Sequence, residues 1–146
     1  MEHLIDIIEF SVKKYILCTE KKEKSAIKYG AKILMRQFNH RKHLWSEAAA
    51  AFRDANNIPE DITWVNQPRY DPGRKNLLLE HKNPLEEIWK KMLIEPSKTE
   101  EILSEYNVVV WVSRAEDDRL NELGYRSARP DSDKAYAEAG IKILNG

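Results

Sequence analysis

The sequence has few of the residues that mark secreted, zinc-binding or membrane proteins. One of its 146 residues is a cysteine, Cys18, so neither an internal disulfide nor a cluster of zinc-binding thiolates can form. The N-terminal residues lack a basic start followed by an apolar run, and no apolar run approaches the roughly 20 residues that a membrane span needs. We therefore expect a cytoplasmic protein with no signal peptide and no membrane partner.

The chain also has few glycines and no formal net charge. The chain has five glycines, with neither a glycine-rich phosphate loop nor the G-x-S-x-G elbow of serine hydrolases. Its 24 Lys and Arg balance its 24 Asp and Glu, which argues against a protein that coats nucleic acid through bulk charge. The apolar fraction of 42% is enough for a buried core, and the length predicts one domain over residues 1–146.

Apolar periodicity predicts a helical N-terminal part, residues 1–56, and an α/β part, residues 57–146. The predicted helices cover residues 4–18, 22–38, 42–56, 84–94 and 99–106, and the predicted strands cover residues 61–66, 76–82 and 107–112. A further helix follows Ser113, which forms a capping box with Glu116, and another ends at Gly140.

This order of elements predicts an α/β or α+β fold, in which N-terminal helices precede a small mixed sheet flanked by helices. The strands at 76–82 and 107–112 would be parallel, joined by a helical crossover. Residues 141–144 would form a last edge strand. All four tryptophans are predicted to lie in the core: Trp45, Trp64, Trp89 and Trp111.

The segment RYDPGRKNLLLEHK contains the residues with the most specific chemical pattern. Glu80 and Lys82 lie two positions apart on a predicted strand and would project from the same face, while His81 would point to the other side. Asp71, in the preceding turn, would fold back beside Glu80. Two carboxylates suit Mg²⁺ or Mn²⁺, and a lysine can orient an attacking water.

Asp71 followed by Glu80-x-Lys82 resembles the motif of the PD-(D/E)xK nuclease superfamily, which has the restriction-endonuclease-like fold. The resemblance covers residues 42–112 and implies that Asp71 and Glu80 bind the metal and that Lys82 assists the water. Glu47, on the first core helix, matches an extra acid of some members, and His81 is a secondary candidate. The sequence departs from the motif where Tyr70 precedes the acid and Pro72 follows it.

Lysines and arginines indicate where a nucleic acid would bind. Lys24, Lys28, Lys32 and Arg36 recur at helical spacing, and Arg41 and Lys42 extend this positive region. Arg74, Arg126 and Arg129 lie in predicted loops and could bind phosphates. Each group also has a structural interpretation, because the stripe fits a solvated helix face and the loop arginines can pair with acids such as Asp131.

Two other nuclease families resemble short segments. Arg36 and His43 are similar to the Arg and His that HEPN ribonucleases carry on one helix, and LEHKNP is similar to the His-centred motif of HNH nucleases. The β-rich second half disfavours the first family. The second family needs another His or Asn on the following helix, and LEEIWKKML has neither.

Two functions follow from these patterns. The first is a Mg²⁺- or Mn²⁺-dependent nuclease that hydrolyses DNA or RNA, with a possible homodimer to enlarge the grip on the substrate. The second is a non-enzymatic protein-binding module, such as an immunity protein, an antitoxin or a phage inhibitor, in which Glu80 and Lys82 form a structural pair at a strand end.

Overall fold

The computed structural model describes residues 2–37 and 43–144. Within these residues it has seven α-helices and one mixed sheet of three strands, which confirms the predicted class of N-terminal helices followed by a small mixed sheet with flanking helices. His40, Arg41 and Lys42, part of the predicted basic region and its surroundings, lie outside the described residues. None of the described helices combines the length and apolar character that a membrane crossing requires.

In chain order the elements are α1 (Glu2–Leu17), α2 (Lys21–Gln37), β1 (Leu44–Trp45), α3 (Glu47–Ala55), β2 (Leu77–His81), α4 (Leu85–Ile94), α5 (Thr99–Tyr106), β3 (Val109–Ser113), α6 (Arg114–Glu122) and α7 (Ser132–Ala139). Short 3₁₀ helices cover Gln67–Arg69, Pro72–Arg74 and Pro96–Lys98. Two compact units emerge: a helical unit of residues 1–40 and 83–107, and a sheet unit of residues 41–82 and 108–146. This division differs from the predicted boundary at residue 56, because α3 belongs with the sheet and α4 and α5 belong with the N-terminal helices.

The helical unit packs α1, α2, α4 and α5 around one apolar cluster. Ile8 of α1, Met35 of α2 and Trp89 of α4 are almost completely buried in it. Tyr15 meets Trp89 edge-on, with ring centroids 5.2 Å apart. Fully burying one such side chain contributes about 1.5–3 kcal/mol, so this cluster is the main stabilising feature of the unit.

The sheet unit is organised by β3, which lies between the other two strands. β1 pairs parallel to it and β2 pairs antiparallel to it, with Glu80 opposite Val110. Because side chains alternate along a strand, Trp111 enters an apolar cluster with α3 on one face. Val110 and Val112 enter a second cluster, with α6 and α7, on the other face. β2 and β3 are therefore not the parallel pair that the crossover predicted.

Residues 61–66 do not form the predicted strand. They make a turn in which the Thr63 N–H donates to Asn66 Oδ1 (2.7 Å) and the Asn66 N–H donates to Thr63 Oγ1 (3.3 Å). Pro68 then enters a 3₁₀ helix. Local side-chain hydrogen bonds thus override the strand propensity of the segment, and Trp64, predicted to be buried, is 49% exposed.

Two boundaries also differ from the prediction. The third helix begins at Glu47 rather than at residue 42, because Leu44 and Trp45 pair with β3 and the side chain of Ser46 caps α3 by accepting from the Ala49 N–H. Residues 141–144 contribute one isolated bridge, between Ile143 and Ser46, instead of an edge strand.

Candidate functional site

Asp71 lies in the turn before β2, six positions ahead of Leu77, and is fully buried. Its carboxylate accepts hydrogen bonds from the backbone N–H groups of Leu77 (2.9 Å) and Asn76 (3.1 Å). The side-chain amides of Asn76 (2.9 Å) and Gln67 (3.2 Å) donate to it as well. The carboxylate therefore closes the turn before the strand, and its acceptor positions are occupied by the protein itself.

The hydrogen bonds around Asp71 also stabilise its ionised form. Burial alone would raise the pKa of this carboxyl, but the donors from Leu77, Asn76 and Gln67 together outweigh burial and hold the pKa below its ordinary value. Asp71 is thus a negatively charged structural group at neutral pH.

Glu80 lies near the other end of β2 and is held by two side chains from the C-terminal part of the sheet unit. Arg129 Nη2 lies 2.6 Å from Glu80 Oε1, and the Tyr136 hydroxyl donates to Glu80 Oε2 at 2.7 Å. The side chain of Arg129 is 2% exposed and that of Glu80 is 14% exposed. The second acid of the predicted metal site is therefore half of a buried ion pair.

Arg129 uses its other donors to bind main-chain carbonyls. Nε and Nη2 donate to the carbonyl of Tyr125 (3.0 and 2.8 Å), and Nη1 donates to the carbonyls of His81 (3.2 Å) and Lys82 (2.9 Å). The guanidinium thus joins the loop before α7 to the end of β2. Its phosphate-binding role, predicted from sequence, would require it to leave this buried position, whereas Arg126 is exposed.

The pKa of Glu80 is shifted upwards, in the opposite direction to that of Asp71. Burial raises the pKa of Glu80, and the charge of Arg129 and the hydrogen bond from Tyr136 oppose this only in part. The pKa of Tyr136 is raised by burial and by the neighbouring Glu80 charge, so its hydroxyl remains a donor.

The remaining members of the motif also have intramolecular partners or exposed positions. Lys82 pairs with Asp133 of α7, whose side chain is 84% exposed. A cavity of about 450 Å³ lies beside this pair. His81 is half-buried, and Glu47 is exposed in the first turn of α3.

The structure brings Glu80 and Lys82 together beside Tyr136, as the same-face prediction required. Asp71 instead binds at the first residue of β2, Leu77. Across residues 2–37 and 43–144, no group of three or more His, Cys, Asp or Glu is arranged to hold a metal ion.

The predicted basic stripe on α2 is partly used inside the helical unit. Lys28 Nζ lies 2.6 Å from Glu86 Oε1, and Lys32 pairs with the other oxygen of the same carboxylate. Lys24 lies over the ring of Tyr15, 4.6 Å from its centroid. Of the four cations, Arg36 is the one in the exposed class, so the stripe mainly links α2 to α4 and α1.

His43 and Arg36 do not share a helix, as the HEPN resemblance would require. Arg36 lies in the last turn of α2, whereas His43 precedes β1. The His43 ring meets Trp111 edge-on at a centroid distance of 6.1 Å, and burial lowers its pKa.

The turn before β2 forms a surface around Trp64, which was predicted to lie in the core, and Arg74, which was predicted to bind phosphates. The Arg74 guanidinium stacks on the Trp64 ring, 3.9 Å from its centroid, and Nη2 donates to the Trp64 carbonyl at 2.9 Å. Arg114 donates to the carbonyls of Arg74 (2.7 Å) and Lys75 (3.2 Å). We define the loop surface as Trp64, Val65, Arg74, Lys75 and Arg114. A tryptophan among Pro, Asn and Arg residues was the signal for it.

Charge and apolar area coincide on the loop surface. Val65 is 84% exposed and Trp64 is about half exposed. Residues 62–76 contain two arginines and one lysine against a single acid, Asp71, which is buried. The surface therefore presents an aromatic and aliphatic centre with a positive margin.

Comparisons of this chain with protein-family models, with curated proteins and with solved structures give no match.

Proposed function

We propose that this chain is a non-enzymatic protein-binding module that binds its partner through the loop surface. The observation that supports the proposal is a difference between the residues of the nuclease-like motif and those of the loop surface. The acids and the lysine of the nuclease-like motif are occupied by hydrogen bonds and ion pairs within the sheet unit, whereas Trp64 is half exposed, with the half-buried Arg74 stacked on its ring.

The composition of the loop surface fits a protein interface. Tryptophan and arginine are enriched among the residues that dominate binding energy. The stacked Arg74 restricts the rotamers of Trp64, so less conformational entropy is lost when a partner binds. Val65 adds apolar area beside the ring.

The partner that complements this surface has an acidic rim around an apolar pocket. Arg74 and Arg114 donate to main-chain carbonyls rather than to carboxylates, so no acid neutralises their charge at these contacts. Carboxylates of the partner would pair with these arginines and with Lys75, and the pocket would receive Trp64 and Val65. An immunity protein, an antitoxin or a phage inhibitor would act in this way in the cytoplasm, by covering the active surface of its target.

The first test separates binding from nuclease activity. Purified protein is incubated with single- and double-stranded DNA and RNA in the presence of Mg²⁺ or Mn²⁺, together with Lys82→Ala. We expect no cleavage by either protein. Cleavage that the wild type performs and Lys82→Ala does not would overturn the proposal and support the metal-dependent nuclease.

The second test identifies the partner and the surface. Affinity capture is performed with wild type, Trp64→Ala and the control Ile94→Ala, which removes an exposed apolar side chain from the helical unit. The protein captured by the wild type and the control, but not by Trp64→Ala, is then purified for calorimetry. We expect Trp64→Ala to weaken its binding about 30-fold or more, the effect of a central interface residue. Equal affinities of wild type and Trp64→Ala would contradict the proposal, as would retention of nucleic acid alone.

A further inference from the structure

α1 carries exposed apolar residues on its outer face as well as buried ones on its inner face. Ile5, Ile8 and Val12 enter the core of the helical unit. Ile7, Phe10 and Leu17, spaced by three and seven residues, fall on the opposite side. Phe10 is 66% exposed and Leu17 is 82% exposed. The outer face of α1 therefore presents large apolar side chains to solvent among its charged residues.

α2 extends this apolar face. α1 and α2 pack together, and both direct their buried residues into the core that they share with α4 and α5. The side of α2 away from that core carries the exposed Tyr29 and Ile33, one helical turn apart. We define the outer face as Ile7, Phe10, Leu17, Tyr29 and Ile33.

Charges along α1 identify the occupant. The exposed or half-exposed acids Glu2, Asp6 and Glu9 lie in its first half, and Lys13 and Lys14 lie in its second half. An antiparallel second copy would place the acidic half of each α1 beside the basic half of the other, whereas a parallel copy would oppose like charges. In the antiparallel arrangement Phe10 lies near the twofold axis.

The ion pairs that α1 already makes within one chain are compatible with pairing between the two copies. Lys13 pairs with the half-buried Glu9 at 2.6 Å, and Lys14 pairs with Glu23 at 3.7 Å between two exposed side chains. Such pairs contribute little in a single chain, so the lysines can be shared with a partner's carboxylates at little cost.

We infer that the outer face of α1 and α2 binds a second copy of this chain, with the two α1 helices antiparallel about a twofold axis between Glu9 and Phe10. α1 has 16 residues and is therefore about 24 Å long. Two adjacent helices of about 10 Å diameter give a footprint of roughly 500 Å², below the roughly 800 Å² per partner of a standard interface. The dimer is accordingly weak and forms at micromolar or higher concentration.

Sedimentation equilibrium of the full chain across the micromolar range tests the inference. The average mass of the wild type should rise with concentration from the 17.1 kDa of one chain towards twice that value. Phe10→Glu places a charge at the centre of the interface and should weaken dimerisation by at least about tenfold. Ile94→Glu, at another exposed apolar position of the helical unit, is the matched control and should dimerise like the wild type.

A charge reversal tests the orientation. Asp6→Lys should weaken the dimer, and the second change Lys13→Glu should restore it, because residues 6 and 13 of opposite copies are neighbours only in the antiparallel arrangement. A circular-dichroism melt of each variant confirms that it is folded. A wild type that stays at the mass of one chain throughout, or a dimer that Phe10→Glu leaves intact, would overturn the inference. Failure of Lys13→Glu to restore the dimer would overturn the antiparallel arrangement.

Discussion

Two acids lie in opposite environments: Asp71 in the turn that leads into β2, and Glu80 near the end of β2. In the turn, the Asp71 carboxylate accepts hydrogen bonds from surrounding N–H groups, and its pKa is lowered. Near the end, the Glu80 carboxylate is buried against Arg129 and Tyr136, and its pKa is raised. The role of each acid therefore depends on its local hydrogen-bond donors and its burial, and not on the spacing of the sequence motif.

The largest effect should come from Arg129→Ala. This substitution leaves Glu80 buried without its cation and removes the donors to three main-chain carbonyls, so we expect a loss of about 3–5 kcal/mol in the free energy of unfolding. Urea denaturation measures it, with the exposed Arg126→Ala as the control, which should stay within about 0.5 kcal/mol of the wild type. A loss below about 1 kcal/mol would show that the Glu80 end of β2 does not depend on the ion pair.

Asp71→Asn should have the next largest effect. An amide cannot accept from all of the donors that face Asp71, and we expect a loss of about 1–3 kcal/mol at neutral pH. Because the folded pKa is lowered, the contribution of Asp71 is present above its ordinary pKa of 3.8 and is lost as the pH falls through the folded value.

The stability difference between wild type and Asp71→Asn should therefore shrink on acidification below about pH 4. The exposed Asp118→Asn serves as the control for the removal of a surface carboxylate. A difference that is constant from neutral to strongly acidic pH would contradict the role assigned to the Asp71 hydrogen bonds.

Glu80→Gln should show the opposite pH dependence. Because the folded pKa of Glu80 is raised above its ordinary value of 4.5, the ionised form is disfavoured in the folded state. Its contribution is present below 4.5 and is lost as the pH rises through the folded value. The stability of the wild type relative to Glu80→Gln should thus fall as the pH rises, whereas relative to Asp71→Asn it should increase. If the stability of the wild type changed with pH in the same direction relative to both variants, the two carboxylates would not have the opposite environments described for them.

Lys82→Ala should have the smallest effect. The partner of Lys82, Asp133, is largely exposed, and such pairs contribute about 0–1 kcal/mol. Urea denaturation of Lys82→Ala and Asp133→Ala should give similar, small losses. A loss of several kcal/mol would indicate that Lys82 has a further partner.

Much of the fold could be predicted where the signals were local. Ser113 and Glu116 form the predicted capping box at the start of α6, and Gly140 adopts the left-handed conformation that ends α7. The apolar run at β3 is the central strand, buried on both faces. In each case the residues that determine the structure lie within a few positions of one another.

The predictions that failed depended on distant contacts or on competing local bonds. Residues 61–66 have the composition of a strand, but Thr63 and Asn66 bond each other's backbone and turn the chain. The partner of Glu80 is 49 residues away, and nothing in the spacing indicates that Arg129 would return to it. The candidate site consequently could not be assigned from the motif alone.

A double-mutant cycle between Asp71→Asn and Glu80→Gln, with and without Mn²⁺, tests most directly whether the two acids act separately. If they serve different ends of β2, their effects on the free energy of unfolding should add to within about 0.5 kcal/mol, and Mn²⁺ should change neither the sum nor the stability of the wild type. A coupling above about 1 kcal/mol that appears with Mn²⁺, together with a metal-dependent stabilisation that both single variants lose, would contradict the account and place the two carboxylates in one metal site.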